Sequence, residues 1–126
     1  MLLDPQQHYL SLLPAGQLQL FAGGEAFWQQ SPAALDTVAR NWLVTEFSFS
    51  SDWPQWELHP AGDELVYLLA GAAELWLETP AGLQCLPMQA PAAALIPANC
   101  WHQVRTRQLC RMLFITYGEG TLHKAV

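Results

Sequence analysis

Basic residues are scarce in this sequence. Its 126 residues include five Lys and Arg against eleven Asp and Glu, which gives a formal net charge of −6. Nucleic acids and anionic membrane surfaces attract proteins through clusters of basic side chains. Arg105, Arg107 and Arg111 lie close together near the C-terminal end, but three arginines are too few to follow a phosphate backbone. The composition therefore argues against nucleic acid or a membrane as a partner.

Long apolar runs and paired cysteines are also missing. No window approaches the roughly 18 consecutive apolar residues of a membrane span. The first residues show no basic segment followed by an apolar stretch, so no signal peptide is predicted. Cys85, Cys100 and Cys110 are an odd number of cysteines without CxxC spacing. Free thiols in a reducing compartment are the simplest interpretation, and we expect a cytoplasmic protein.

Hydrophobic residues, in contrast, are plentiful. They make up 52% of the chain and include six tryptophans, so the chain can bury a core and is not disordered. We expect residues 1–126 to form a single domain. Within it we distinguish an N-terminal extension over 1–42, a core over 43–117 and a tail over 118–126.

Helix signals are confined to the N-terminal extension. Asp4-Pro5 resembles an N-cap followed by a proline at the first helical position, and predicts a short helix from Gln6 to Leu13. Ser31-Pro32 predicts a second helix start. Between them Leu18 and Leu20 alternate with glutamines, which suits a short strand.

From Leu43 onward the sequence alternates with the period of a β-strand. Eight short strands separated by Gly/Pro turns are predicted, at 43–50, 56–59, 64–69, 73–78, 83–88, 93–96, 102–106 and 111–116. Regularly spaced short strands indicate a sandwich or barrel and not alternating β-α units.

Potential metal ligands gather in two of these strands. Glu57 and His59 are two residues apart, so on a strand they project from the same face. Glu64 follows after a turn that also carries Asp63. A second histidine, His102, lies 43 residues after His59. The chemistry of the protein is expected where these two segments meet.

The two segments resemble the two motifs of the cupins, written G-x5-H-x-H-x(3,4)-E-x6-G and G-x5-P-x-G-x2-H-x3-N. His59 matches the second histidine of the first motif, and Glu64 and Gly71 match its glutamate and final glycine. Pro97 and His102 match the second motif. The resemblance covers about residues 43–117. Within the cupins, the sequence is most similar to small single-domain members without an assigned reaction.

The sequence also departs from those motifs. Glu57 stands where metal-binding cupins have their first histidine, and Pro91 stands where the second motif begins with glycine. Asn99 and Thr106 replace a glycine and an asparagine of the second motif. The first departure alters the set of ligands that the resemblance implies.

The resemblance implies an all-β fold, a double-stranded β-helix (jelly-roll) cupin barrel with one or two short N-terminal helices. Its implied metal ligands are Glu57, His59, Glu64 and His102. Two histidines and two carboxylates suit a divalent ion such as Mn, Fe, Ni or Zn. In the alternative, Glu57 hydrogen-bonds a histidine and the cavity holds only water. Asp63 is an alternative ligand to Glu64. Glu64 is favoured because its side chain is longer and because its spacing to Gly71 fits the motif.

Three aromatic residues are candidates for a substrate pocket. Trp53 and Trp101 flank the predicted ligands and could wall the barrel mouth, where aromatic faces suit a sugar or a planar acid. Tyr67 is a further candidate. All three could instead be large strand residues that fill the core.

Other polar residues carry weaker predictions. Arg105, Arg107 and Arg111 form either a solvated strand face or a clamp for a substrate carboxylate. His123 is interpreted as a surface or interface histidine. Cys100 lies two residues before His102, but an acidic site would not stabilise a reactive thiolate.

The predicted function is a metal-binding cupin that acts on or binds a small molecule, with dioxygenase, isomerase or lyase chemistry all compatible. One alternative is a non-catalytic module that senses a small ligand or a metal. Another is a metal-free sugar-nucleotide isomerase or epimerase, which the low number of basic residues disfavours. The resemblance also implies a homodimer.

Overall fold

The chain forms eleven strands in the computed structural model, which describes residues 1–126. The strands are β1 His8–Leu12, β2 Leu18–Ala22, β3 Trp42–Phe49, β4 Gln55–Leu58, β5 Glu64–Ala70, β6 Ala72–Thr79, β7 Gly82–Gln89, β8 Ala92–Ile96, β9 His102–Arg105, β10 Cys110–Tyr117 and β11 Leu122–Ala125. Two short helices, α1 Glu25–Trp28 and α2 Pro32–Val38, lie between β2 and β3.

The strands form two antiparallel sheets. The six-stranded sheet has the order β2-β1-β3-β10-β5-β8, and the five-stranded sheet has the order β11-β4-β9-β6-β7. Neighbours in each sheet are mostly distant along the chain, as the crossing connections of a jelly roll require. The predicted all-β barrel is confirmed, and all eight strands predicted after residue 42 are present.

A core of twelve buried residues fills the space between the sheets. Val66 on β5 and Phe114 on β10 meet Leu75 on β6 and Val104 on β9 in this core. Each fully buried aliphatic side chain contributes about 1.5–3 kcal/mol to the hydrophobic stabilisation. This packing fixes the separation of the two sheets, and therefore the distance between polar residues at their ends.

The first predicted helix is wrong. Asp4 accepts backbone hydrogen bonds from Gln7 and His8, but this turn ends at once and the chain continues as strand β1. Tyr9 and Ser11 are buried in alternation, because β1 pairs with both β2 and β3. The local capping signal was overridden by burial of one face of a strand.

The second predicted helix start is present at α2. The Ser31 hydroxyl accepts a hydrogen bond from the Ala34 amide at 3.2 Å, and Pro32 occupies the first turn. Helix α1 was not predicted. Its Phe27 packs with Tyr9 and Leu43 in a second, smaller core. The longer of the two helices has seven residues, and neither could cross a bilayer.

Strand β11 was also not predicted. It pairs with the edge of the five-stranded sheet beside β4, which places His123 opposite Glu57. Its four residues are all exposed, so the strand shows none of the alternating hydrophobicity that indicates strands elsewhere. The tail of the chain thereby becomes part of the barrel wall.

The outer face of the six-stranded sheet exposes several large apolar side chains. Tyr67, Leu69 and Leu95 are each at least 40% exposed. The predicted homodimer stays a prediction. All three cysteines are free thiols.

Two glycines in tight turns allow a test of this packing. Gly71 has φ +84° between β5 and β6, and an added Cβ would lie 2.5 Å from the Leu109 carbonyl oxygen. Gly82 has φ +113° but open space around it. We expect Gly71→Ala to lower the free energy of unfolding by about 2–4 kcal/mol, and Gly82→Ala by about 1 kcal/mol. Urea unfolding measures both, and equal losses would contradict the packing of Gly71.

Candidate metal centre

Strand pairing brings the four predicted ligands to one end of the barrel. Glu57 on β4 pairs with His102, the first residue of β9, and His59 directly follows β4. Glu64 is the first residue of β5 and comes from the opposite sheet. The turn between His59 and Glu64 carries the chain from one sheet to the other, so the spacing of the first motif spans the barrel.

Glu64 lies between the two imidazoles. Its Oε2 is 3.3 Å from His59 Nε2, and its Oε1 is 3.2 Å from His102 Nε2. Glu57 Oε2 lies 3.8 Å and 4.0 Å from the same two nitrogens. One ligand atom each from Glu57, His59 and His102 falls within 4.8 Å of the others. The four side chains therefore converge on one point.

Three atoms at this point are buried without a hydrogen-bond partner. They are His59 Nε2, His102 Nε2 and Glu64 Oε1. A buried polar atom that makes no hydrogen bond is costly, and native structures contain few of them. These three atoms face one another. A cation bound between them would be coordinated by their lone pairs and would supply the partner that each atom lacks. The residues present thus fit a metal ion.

Hydrogen bonds on the far side of each ring orient these nitrogens. His102 Nδ1 lies 2.9 Å from the Cys100 carbonyl oxygen, which can only accept, so Nδ1 donates. His59 Nδ1 lies 2.8 Å from the Thr121 hydroxyl, whose own hydrogen is donated to the Gly118 carbonyl oxygen at 2.6 Å. His59 Nδ1 is therefore also a donor. Each ring in its neutral form presents a lone pair on Nε2 to the centre.

Glu64 is held as a carboxylate. Burial alone would raise its pKa, but the adjacent imidazole rings of His102 and His59 outweigh this effect and lower the pKa to about 2. The Thr116 hydroxyl donates a further hydrogen bond to Oε2 at 2.5 Å. For His102, burial alone would lower the pKa, and the contact with Glu64 outweighs it and raises the pKa. The centre therefore carries an ionised, buried carboxylate.

Glu57 closes the exposed side of the centre together with His123. The Glu57 side chain is 30% exposed, and its Oε1 lies 3.3 Å from His123 Nε2. Hydrogen bonding to Glu57 raises the pKa of His123. His123 was predicted to lie at a surface or interface, and its side chain is 45% exposed. Thr121 directly precedes β11 and His123 lies within it, but the contacts of both with the centre were missed because β11 itself was not predicted.

A cavity of about 840 Å³ opens onto the centre. Glu57, His59 and Glu64 line its inner end, and Trp53 lines its wall. The N-terminal extension covers the other side, through residues such as Trp28. The cavity is large enough for a small organic molecule.

Two of the three predicted pocket residues lie elsewhere. Tyr67 is 40% exposed on the outer face of the six-stranded sheet, because it alternates with the buried Val66 and Leu68. Trp101 lies under the Lys124 ammonium group, 4.6 Å from its ring centroid, on the outer face of the five-stranded sheet. Neither lines the cavity, so these two predictions are wrong.

The contacts of the remaining polar candidates place their side chains outside the cavity. Asp63 is exposed and accepts a hydrogen bond from the Ala98 amide, so Glu64 is the inward carboxylate. Arg111 pairs with Glu46, and the Arg105 guanidinium stacks on a tryptophan. No arginine lines the cavity. The Cys100 thiol is buried and its pKa is raised by that burial, so a reactive thiolate is not favoured.

Comparison with known proteins identifies the fold. No model of a protein family matches the sequence, and no curated protein matches it. A solved cupin superfamily protein from Desulfitobacterium hafniense shares 24% identity over 60% of this chain and 65% of its own, with a TM-score of 0.51. A mutant of Bacillus subtilis oxalate decarboxylase shares 15% identity over 71% of this chain, with a TM-score of 0.56. An oxalate oxidase bound to glycolate shares 14% over 64%, with a TM-score of 0.54.

The chain has the cupin fold. The match spans 45% of the oxalate oxidase chain and 25% of the oxalate decarboxylase chain. The fold predicted from the resemblance is confirmed. At these identities the likeness shows the fold alone, because one fold hosts many reactions.

The hydrogen bond between His59 and Thr121 can be tested by one substitution. Thr121→Val keeps the shape of the side chain but leaves the buried His59 Nδ1–H without an acceptor. We expect the free energy of unfolding to fall by about 1–3 kcal/mol. Thr37→Val, at an exposed position on α2, is the matched control and should change stability by less than about 0.5 kcal/mol. Chemical unfolding of both variants measures the difference, and equal values would contradict the proposed orientation of His59.

Proposed function

We propose that this cupin barrel binds one divalent cation through Glu57, His59, Glu64 and His102, and that the loaded centre binds and transforms a small organic molecule in the adjoining cavity. The observation that carries the proposal is the convergence of three buried atoms without hydrogen-bond partners, His59 Nε2, His102 Nε2 and Glu64 Oε1.

The donor set supports a transition-metal ion. Two imidazole nitrogens and two carboxylate oxygens suit Mn, Fe, Ni or Zn, whereas Mg and Ca prefer oxygen ligands alone. Such an ion, when bound, supplies a Lewis acid that polarises an oxygen of the substrate.

The side chains of the centre have separate tasks. Glu64, which is 3% exposed, supplies the buried negative charge that offsets a cation. Thr121 and the Cys100 carbonyl hold the two rings with their lone pairs inward. Glu57 stands on the side open to the cavity, where a substrate would approach. These roles require no movement of the barrel.

Without a metal, the same atoms would be left to water or to hydrogen bonds among themselves. A proton shared between Glu64 and either imidazole would need a well-aligned contact. Both contacts are longer than the usual 2.7–2.9 Å of a charge-assisted hydrogen bond, at 3.3 Å and 3.2 Å. The geometry favours a cation between these groups over direct pairing.

The reaction is not transferred from the oxalate enzymes that share the fold, because one fold hosts many reactions. Turnover that is lost when the metal is removed, measured across a panel of small molecules with oxygen consumption recorded, would establish an enzyme. Stoichiometric metal without turnover would instead leave a non-catalytic binding module.

Elemental analysis of the purified protein tests the cation site. We expect one equivalent of Mn, Fe, Ni or Zn per chain, and a rise in unfolding temperature when the metal-free protein is reloaded, because the ion binds only the folded state. His59→Ala and His102→Ala should each abolish both effects. His8→Ala, outside the cavity, is the control and should retain both. Equal metal content in all four proteins would contradict the proposal.

The two carboxylates should contribute unequally. Glu64 is almost fully buried and Glu57 is 30% exposed, and a charge interaction is stronger where water is excluded. We expect Glu64→Gln to weaken Zn²⁺ binding about 100-fold and Glu57→Gln about tenfold. Glu119→Gln, on an exposed turn, should have no effect. Isothermal titration measures the affinities, and the reverse order would show that Glu57 is the principal carboxylate ligand.

A further inference from the structure

We infer that the ligand of this cavity is a small aromatic molecule without negative charge, either uncharged or cationic. The inference rests on the proposed function, since it concerns the molecule that reaches the candidate metal centre. It stands on two properties of the cavity, the arrangement of its aromatic rings and the sign of its charges.

Aromatic rings form a continuous line from the cavity mouth to the centre. Trp28 on α1 contacts Phe47 with ring centroids 5.8 Å apart, and Phe47 stacks on Phe114 at 4.8 Å. Phe114 contacts Trp53 at 5.8 Å, and Trp53 contacts the His102 ring at 6.4 Å. All but His102 line the cavity. These rings line the path of an entering molecule with aromatic surface, stacked between Phe47 and Phe114 and tilted or edge-on at the other contacts.

Aromatic surfaces select ligands by shape and by charge. A flat ring stacks or packs edge-on against such a wall with more contact than a branched aliphatic group. The faces of aromatic rings carry partial negative charge, so they attract cations and do not attract anions. The wall therefore suits a molecule with an aromatic ring, and favours one whose substituent is positive or neutral.

The charged residues of the cavity act in the same direction. Its lining contains the carboxylates of Glu25, Asp36, Glu57 and Glu64 and neither lysine nor arginine. Lys124 pairs with Glu78, and Arg111 pairs with Glu46. An anionic ligand would find no side-chain cation here apart from a protonated histidine.

A bound divalent ion would not reverse this preference. The two negative charges of Glu57 and Glu64 balance the two positive charges of a divalent cation, so the loaded centre is close to neutral. Glu25 and Asp36 then leave the rest of the cavity negative. Coordination of a carboxylate would therefore add an uncompensated negative charge to the site.

Three probes that share one ring and differ in charge test this inference. At neutral pH benzylamine is a cation, benzyl alcohol is uncharged and benzoate is an anion. Their affinities for the metal-free and the Zn²⁺-loaded protein can be measured by isothermal titration and by tryptophan fluorescence. We expect benzyl alcohol and benzylamine to bind, and benzoate to bind at least about tenfold more weakly than either in both forms.

Variants of the wall and of its charge sharpen the test. Gln55 lines the cavity and is exposed, so Gln55→Lys adds a cation without disturbing the core. We expect it to raise benzoate affinity about tenfold while benzylamine affinity falls. Trp53→Leu should weaken all three probes and keep their order. Trp76→Leu, at a half-buried tryptophan outside the cavity, is the control and should leave the affinities for all three probes unchanged.

Two results would overturn the inference. Benzoate could bind as tightly as benzyl alcohol to the unaltered protein, or none of the three probes could bind at millimolar concentration. The arm with metal-free protein separates this inference from the proposed function. If the protein takes up no Zn²⁺ but still ranks the probes as expected, the metal proposal fails and the ligand class stands.

Discussion

The structure depends on a single costly arrangement, a carboxylate buried between two buried imidazoles. Glu64, His59 and His102 are all less than 10% exposed, and a charge in such a place is strongly destabilising unless it is compensated. Glu64 is contributed by one sheet, whereas His102 belongs to the other. The apolar core that holds the sheets together therefore also sets the distances within the site. Any change in sheet packing would separate the groups that compensate one another.

Segments outside the two cupin motifs complete this arrangement. The tail supplies Thr121, which fixes the His59 ring, and places His123 beside Glu57. The Gly120 amide donates to the Asp36 carboxylate at 2.6 Å, so the tail is joined to helix α2. The N-terminal extension supplies Trp28 at the far end of the aromatic line. The barrel motifs thus carry the ligands, and the two ends of the chain provide their support and the roof of the cavity.

Sequence reasoning succeeded where a feature can be read from the pattern of one segment. It failed where the feature depends on pairing with a distant segment of the chain. Strands after residue 42 were predictable because each alternates between core and solvent, and the ligands followed from two spaced motifs. The helix predicted over 6–13 failed because pairing with β3 outweighed a local cap signal at Asp4. Strand β11, and with it the contact between His123 and Glu57, was missed because an exposed edge strand has no apolar pattern. Trp101 was misplaced because it directly precedes His102, the inward-facing first residue of β9, and points away from the cavity.

The most consequential departure from the cupin motifs is Glu57, and its effect can be followed through the charges of the site. A carboxylate in place of an imidazole lowers the charge of the ligand set by one unit. The extra negative charge lies on the exposed side, where the His123 ring accompanies it at 3.3 Å. No arginine lines the cavity to restore a positive potential; Arg111 is paired with Glu46 and Arg105 is stacked on the Trp76 ring. Charge substitution at one ligand position and the placement of basic residues outside the cavity thus act together, and both disfavour an anionic ligand at the centre.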